Sequence, residues 1–134
     1  MDIKLILADD NIPFRSALKK FLQHQLECEI IAEASNGNEL INLPCLFQAD
    51  IVILDLMMPE MDGINAAREI NRKFPQIKTL AVTMHYEKAY LTDLIGNGFK
   101  GCVFKNCIYD KIFEAIVTVK NNGLYFPREL NISI

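Results

Sequence analysis

Five short apolar runs recur along the chain at strand length: IKLILA (3–8), CEIIAEA (28–34), DIVILD (50–55), IKTLAVT (77–83) and GCVFK (101–105). Each is nearly continuous rather than alternating, the habit of parallel strands covered on both faces. Helix-period segments lie between them. Phe14, Ala17, Leu18, Phe21 and Leu22 follow an i, i+3, i+4, i+7, i+8 spacing behind Pro13, which a first helical turn tolerates. Ile108, Ile112, Ala115, Ile116 and Val119 repeat the pattern, with Gly123 as the stop signal. Segments 38–43, 64–74 and 86–97 fit three further helices. An Asn36-Gly37 turn opens the first of these, and Pro44 cuts it short before an irregular path over 44–49. Five alternations of strand and helix predict an α/β fold: a doubly wound, five-stranded parallel sheet with right-handed crossovers and helices on both faces.

A length of 134 residues suits one domain with one core. Apolar residues at 51% and charged residues at 23% leave no sign of disorder. A net charge of −3 points away from non-specific binding to nucleic acid or membrane. The first apolar run is too short for a signal peptide and meets Asp9-Asp10 at once, and no stretch approaches a membrane span. Cys28, Cys45, Cys102 and Cys107 form no CxxC pair and have no histidine near enough for a zinc site. They read as reduced thiols filling the core of a cytoplasmic protein. His24 and His85 read as surface residues.

In a doubly wound sheet the working site lies at the carboxyl ends of the strands, near the switch in strand order. The residues ending each run therefore matter most. The first ends in Asp9-Asp10, the third in Asp55, the fourth in Thr83 and the fifth in Lys105. Taken singly, Asp9 or Asp10 could be a helix cap, Asp55 a strand-end carboxylate, Lys105 a solvated charge and Thr83 an ordinary β-branched strand residue. Together, at four strand ends, they describe a site. Converging carboxylates repel and raise one another's pKa unless a cation is present. Mg²⁺ suits such oxygen ligands, a lysine supplies a point positive charge, and a threonine hydroxyl donates to an oxyanion. That set fits phosphoryl transfer onto an aspartate.

The stretches ADDN (8–11), LDLMMPEMDG (54–63), VTM (82–84) and FK (104–105) resemble the receiver domain of bacterial two-component response regulators, over about residues 3–122. The resemblance implies a flavodoxin-like (βα)5 fold with Asp55 as phosphoacceptor. Asp10 would bind Mg²⁺ directly, and Asp9 directly or through water. The Met57 carbonyl would be a further ligand, and Thr83 and Lys105 would hold phosphoryl oxygens. The implied partner is a sensor histidine kinase. NIPFRSAL, ASNGNEL and NNGLYF are closest to the subfamily that carries a C-terminal helix-turn-helix of the LuxR type. The receiver is expected over 1–123, and 124–134, LYFPRELNISI, as the start of a linker or a tail. DNA would then be bound only through a C-terminal domain missing from this chain.

The sequence departs from the family pattern in places. An aromatic residue often stands three before the lysine; here it is Cys102, with Tyr86 and Tyr90 as candidate substitutes. Met84 follows Thr83 where a small residue is common, and would narrow access to Asp55. Asn106 replaces the proline usual after the lysine, which leaves that peptide trans or strained. Phe113 and Val117 widen the apolar face of helix 108–122, a candidate homodimer surface. The rival enzyme class, phosphatases of the haloacid-dehalogenase kind, needs a second aspartate two residues after the nucleophile; here that position is Met57. No GxGxxG follows the first strand, which counts against a dinucleotide-binding role. The remaining alternative is a receiver-like binding module that works without phosphorylation.

Overall fold

Each apolar run becomes a strand of one sheet. The computed structural model describes residues 2–25, 27–84 and 91–130. In chain order the elements are β1 (Ile3–Ala8), α1 (Ile12–Gln23), β2 (Cys28–Ala34), α2 (Gly37–Ile41), β3 (Ile51–Asp55), α3 (Gly63–Lys73), β4 (Lys78–Thr83), α4 (Leu91–Gly96), β5 (Phe99–Phe104) and α5 (Ile108–Lys120). Residues 86–90 of the expected fourth helix lie outside the described residues. All five strands pair in parallel in the order β2-β1-β3-β4-β5. The doubly wound parallel sheet expected from the sequence is the one found.

The sheet has two covered faces because neither is polar. On one, Ile6, Ala8, Val52, Leu54, Ala81 and Cys102 pack against Leu40, Ala66, Ile70 and Leu94 from α2, α3 and α4. On the other, Leu5, Leu7, Ile53, Leu80 and Val103 meet α1 and α5. The whole stripe of α5, from Ile108 to Val119, is buried. In α1 only Leu18 and Leu22 are buried, while Ala17, expected on the core face, is exposed. The core direction of α1 runs between Leu18 and Leu22, and Ala17 lies about 120° from it at 3.6 residues per turn.

Several boundaries differ from the sequence reading for identifiable reasons. Gly98, at φ +90°, ends α4 so sharply that β5 begins at buried Phe99, two residues earlier than expected. Past Pro44 the path over 44–49 contains a single 3-10 turn, Leu46–Gln48, with Leu46 buried. At the end of α5 the left-handed residue is Asn122, at φ +70°, and not Gly123. The Asn122 N–H reaches the Val119 carbonyl and the Gly123 N–H reaches that of Thr118, a Schellman closure with asparagine in the usual glycine place.

Residues after α5 return to the sheet. Tyr125 lies beside Gly101 as a parallel bridge on the outer edge of β5. Its N–H donates to the Lys100 carbonyl at 3.0 Å, and its carbonyl accepts from the Cys102 N–H at 2.8 Å. Phe126 packs on the core, and Leu130 is buried in it. A Cβ at Gly101 would stand 2.7 Å from the Tyr125 carbonyl oxygen and 2.7 Å from Leu80 Cδ1. Glycine is thus required there by close approach from both sides. Gly101→Ala is expected to cost about 1–3 kcal/mol by overpacking, read as a lower urea midpoint. An unchanged midpoint would mean that the tail does not hold β5.

Candidate functional site

Strand order reverses at β1, which has β2 on one side and β3 on the other. The register pairs Ala8 with Leu54, Asp55 with Val82 and Thr83 with Phe104. The residues that follow or end these strands therefore share one edge of the sheet.

Asp9 continues from β1, its N–H donating to the Ala34 carbonyl at 3.0 Å and its Oδ1 accepting the Asn11 N–H at 2.9 Å. Neither acid caps α1; the Asn11 side chain does, accepting from the Phe14 N–H at 3.1 Å. Both acids are thereby left for other work. Asp9 is buried and Asp10 exposed. Asp55 ends β3, buried, with Oδ1 accepting the Met57 N–H at 3.1 Å. Behind it Asp62 caps α3 through the Asn65 N–H. Gly63 works there by close approach rather than by an unusual φ: a Cβ on it would stand 2.2 Å from the Asp55 carbonyl oxygen.

Lys105 sits just past β5, in a 3-10 turn over Lys105–Cys107. Its Nζ lies 2.8 Å from Asp9 Oδ2 and 3.2 Å from Asp55 Oδ2, and 4.4 Å from the centroid of the Phe14 ring. Carboxylate oxygens of Asp9, Asp10 and Asp55 all lie within 4.8 Å of one another. Thr83 is fully buried at the end of β4, its register partner next to Lys105 in sequence. The structure thus brings Asp9, Asp10, Asp55 and Lys105 together, with Thr83 on the neighbouring strand end.

The electrostatics follow from burial. Burial pushes the Asp55 carboxyl above its ordinary value; the Met57 N–H and Lys105 oppose this, and Asp9 adds to it. Lys105 also loses solvation, but hydrogen bonds and charge from the two aspartates outweigh that and hold its ammonium above the usual lysine range. One ammonium against three carboxylates leaves excess negative charge. All-oxygen donors this close are the chemistry of a hard divalent cation such as Mg²⁺, so the residues present fit that ion.

The departures from the family pattern can now be placed. Cys102 is buried under the sheet, its thiol pushed up to about 12 by burial, and it is inert packing. All four cysteines are free, but Cys28, Cys45 and Cys107 are only half-buried. Among the described residues no peptide is cis, so Lys105–Asn106 is trans. Met84 and Met57 are largely exposed, as is His24. Tyr86, Tyr90 and His85 lie outside the described residues. Sequence reasoning passed over Arg15, whose Nη1 donates to the carbonyls of Asp9 at 2.7 Å and Ala34 at 3.0 Å and to Ser35 Oγ at 2.9 Å. A charged residue beside the Leu18–Leu22 stripe was the available signal.

Comparison with known proteins gives one consistent result. The family profile described as the response regulator receiver domain matches residues 5–117. The transcriptional regulatory protein LnrK of Bacillus subtilis is 32% identical over 128 residues, covering 96% of this chain and 58% of LnrK. DegU of Brevibacillus brevis, also a transcriptional regulatory protein, is 28% identical over 123 residues, covering 92% of this chain and 52% of DegU. The chain therefore spans little more than half the length of these relatives. The isolated receiver domain of RcsB from Salmonella enterica, solved with the phosphomimetic BeF3−, superposes with a TM-score of 0.85 at 26% identity, covering 97% of this chain and 96% of that one. No helix among the described residues is long and apolar enough to cross a membrane.

A raised carboxyl has a signed consequence. The folded state holds the Asp55 proton more tightly than the unfolded chain, so stability falls as pH rises from the ordinary aspartate range through the raised value. Without divalent ions, Asp55→Asn is expected to lose less stability than the parent over that interval, measured by urea unfolding at a series of pH values. Parallel curves would show that Asp55 is not destabilised by its site.

Proposed function

Because this chain belongs to the receiver-domain family of response regulators, we propose that Asp55 accepts a phosphoryl group from the phosphohistidine of a sensor kinase. An Asp55 carboxylate oxygen forms the new bond to phosphorus as the P–N bond breaks, and the departing imidazole keeps the bond's electron pair and takes up a proton. Asp9, Asp10, Asp55 and the Met57 carbonyl would hold Mg²⁺, which when bound offsets negative charge on the phosphoryl oxygens. Lys105 releases the Asp55 oxygen it now pairs with and takes a phosphoryl oxygen, while Thr83 donates to another. The observation that carries this reading is the Lys105 ammonium set between Asp9 and Asp55 at 2.8 and 3.2 Å.

At the position where a phosphatase would carry its second acid stands Met57, whose side chain is largely exposed. No acid there activates water, so the acyl phosphate persists and serves as a signal rather than as a turnover intermediate. We place the receiver over 1–123 together with the returning tail up to Leu130, which pairs with β5 and enters the core. We read 124–134 as both the edge of that unit and the start of the connection to an output domain. By analogy with the transcriptional regulators it resembles, that domain would bind DNA, in the cytoplasm. Phosphorylation shifts a pre-existing balance between two conformations.

Intact mass after incubation with Mg²⁺ and acetyl phosphate tests the reading. One added phosphoryl group on the parent and none on Asp55→Asn is the expected result. No addition to the parent, with Mg²⁺ binding also absent, would favour a binding module that works without phosphorylation.

A homodimer through α5 fits the surface of that helix. Phe113 and Val117 stay half-buried, and Tyr109 remains largely exposed while meeting Phe21 edge-to-face at 5.0 Å. Charged substitutions at Phe113 and Val117 are expected to slow self-association in sedimentation velocity. Unchanged sedimentation would remove α5 as the surface.

A further inference from the structure

Arg15 is a cation turned toward the interior. It lies about 40° from the core direction of α1, closer than Ala17, and its side chain is 13% exposed. A guanidinium so placed is costly unless its donors are satisfied. Nε donates to Glu33 Oε1 at 3.0 Å, and Glu33 Oε2 also accepts from Lys19 Nζ at 2.9 Å. Burial pushes the Glu33 carboxyl up, but the hydrogen bonds and charges of Lys19 and Arg15 outweigh it and hold it below its ordinary value. The guanidinium is therefore held from behind by a fixed charge.

Its other contacts converge on the acidic turn. The Asp9 carbonyl that accepts from Nη1 belongs to the peptide joining Asp9 to Asp10. That peptide is planar, so fixing its carbonyl fixes the direction in which Asp10 leaves Asp9. The Ala34 carbonyl accepts both the Asp9 N–H at 3.0 Å and Arg15 Nη1 at 3.0 Å, tying the end of β2 into the same frame. Asp9 is thus gripped on its N–H and its carbonyl, and its carboxylate also by the Asn11 N–H.

We propose that Arg15, oriented by Glu33, is a positioning residue that sets the relative orientation of Asp9 and Asp10 and hence the affinity of the site for a divalent cation. This rests on the phosphoryl-transfer reading above. Groups that orient metal ligands without touching the metal commonly govern affinity by 10–100-fold. A brace with no such role would change only stability.

Calorimetric titration with Mg²⁺ separates the two, run on the parent, Arg15→Met, Arg15→Lys and Glu33→Gln, with a melting curve for each. Arg15→Met keeps the stem and loses the donors; it is expected to weaken Mg²⁺ binding by about tenfold or more. Arg15→Lys, which still donates to the Asp9 carbonyl, is expected to recover part of that loss. Arg15→Met binding Mg²⁺ as the parent does would overturn the proposal, whatever its melting temperature, and so would an Arg15→Lys no better than Arg15→Met. Should Arg15→Met fail to fold, Glu33→Gln decides: weaker binding supports the role, and parent-like binding overturns it. A parent that neither binds Mg²⁺ nor gains a phosphoryl group would instead overturn the proposed function, and this inference with it.

Discussion

Negative charge crowded onto one edge of a sheet is the constraint around which the rest of the molecule is arranged. Asp9 and Asp55 are both buried, and two carboxylates this close would repel with nothing between them. Lys105 supplies the counter-charge, delivered by the last strand and backed by the Phe14 ring. Removing Lys105 from such a buried set is expected to cost about 3–5 kcal/mol, because the aspartates it pairs with are left uncompensated. The surrounding structure serves this arrangement: the parallel register aligns the strand ends, Asn11 takes over capping, and Gly63 lets α3 close against the Asp55 backbone. Lys105 makes the cluster tolerable without neutralising it, and the surplus negative charge is what an incoming cation meets.

Much of this was legible before any coordinates. Continuous apolar runs fixed the parallel sheet because burial on both faces leaves no alternation to preserve. The α5 stripe was readable because one helix face meets one sheet. The acids, threonine and lysine were readable because topology alone places strand ends together. What escaped depended on competition between neighbours. Asn11 won the cap over two adjacent aspartates, and Asn122 took the left-handed position one residue before Gly123. Ala17 lies off the core face and Arg15, on which the apolar pattern is silent, lies nearer to it, because the core direction of α1 follows Leu18 and Leu22, not hydrophobicity alone. The return of the tail to β5 was not legible at all. Tyr125 pairs through its backbone, which no side-chain pattern reports.

That pairing has a consequence for how the chain can be handled. An outermost strand offers unpaired N–H and C=O groups to any extended segment that meets it, the usual seed of edge-to-edge aggregation. Here the Lys100 carbonyl and the Cys102 amide are already engaged by Tyr125. Phe126 and Leu130 cover the neighbouring apolar surface. A fragment trimmed at the end of α5, where the helical pattern suggests a natural cut, would uncover both at once. The stretch that reads as connector is also the selvedge of the sheet, and a boundary drawn beyond Leu130 keeps the fabric from fraying.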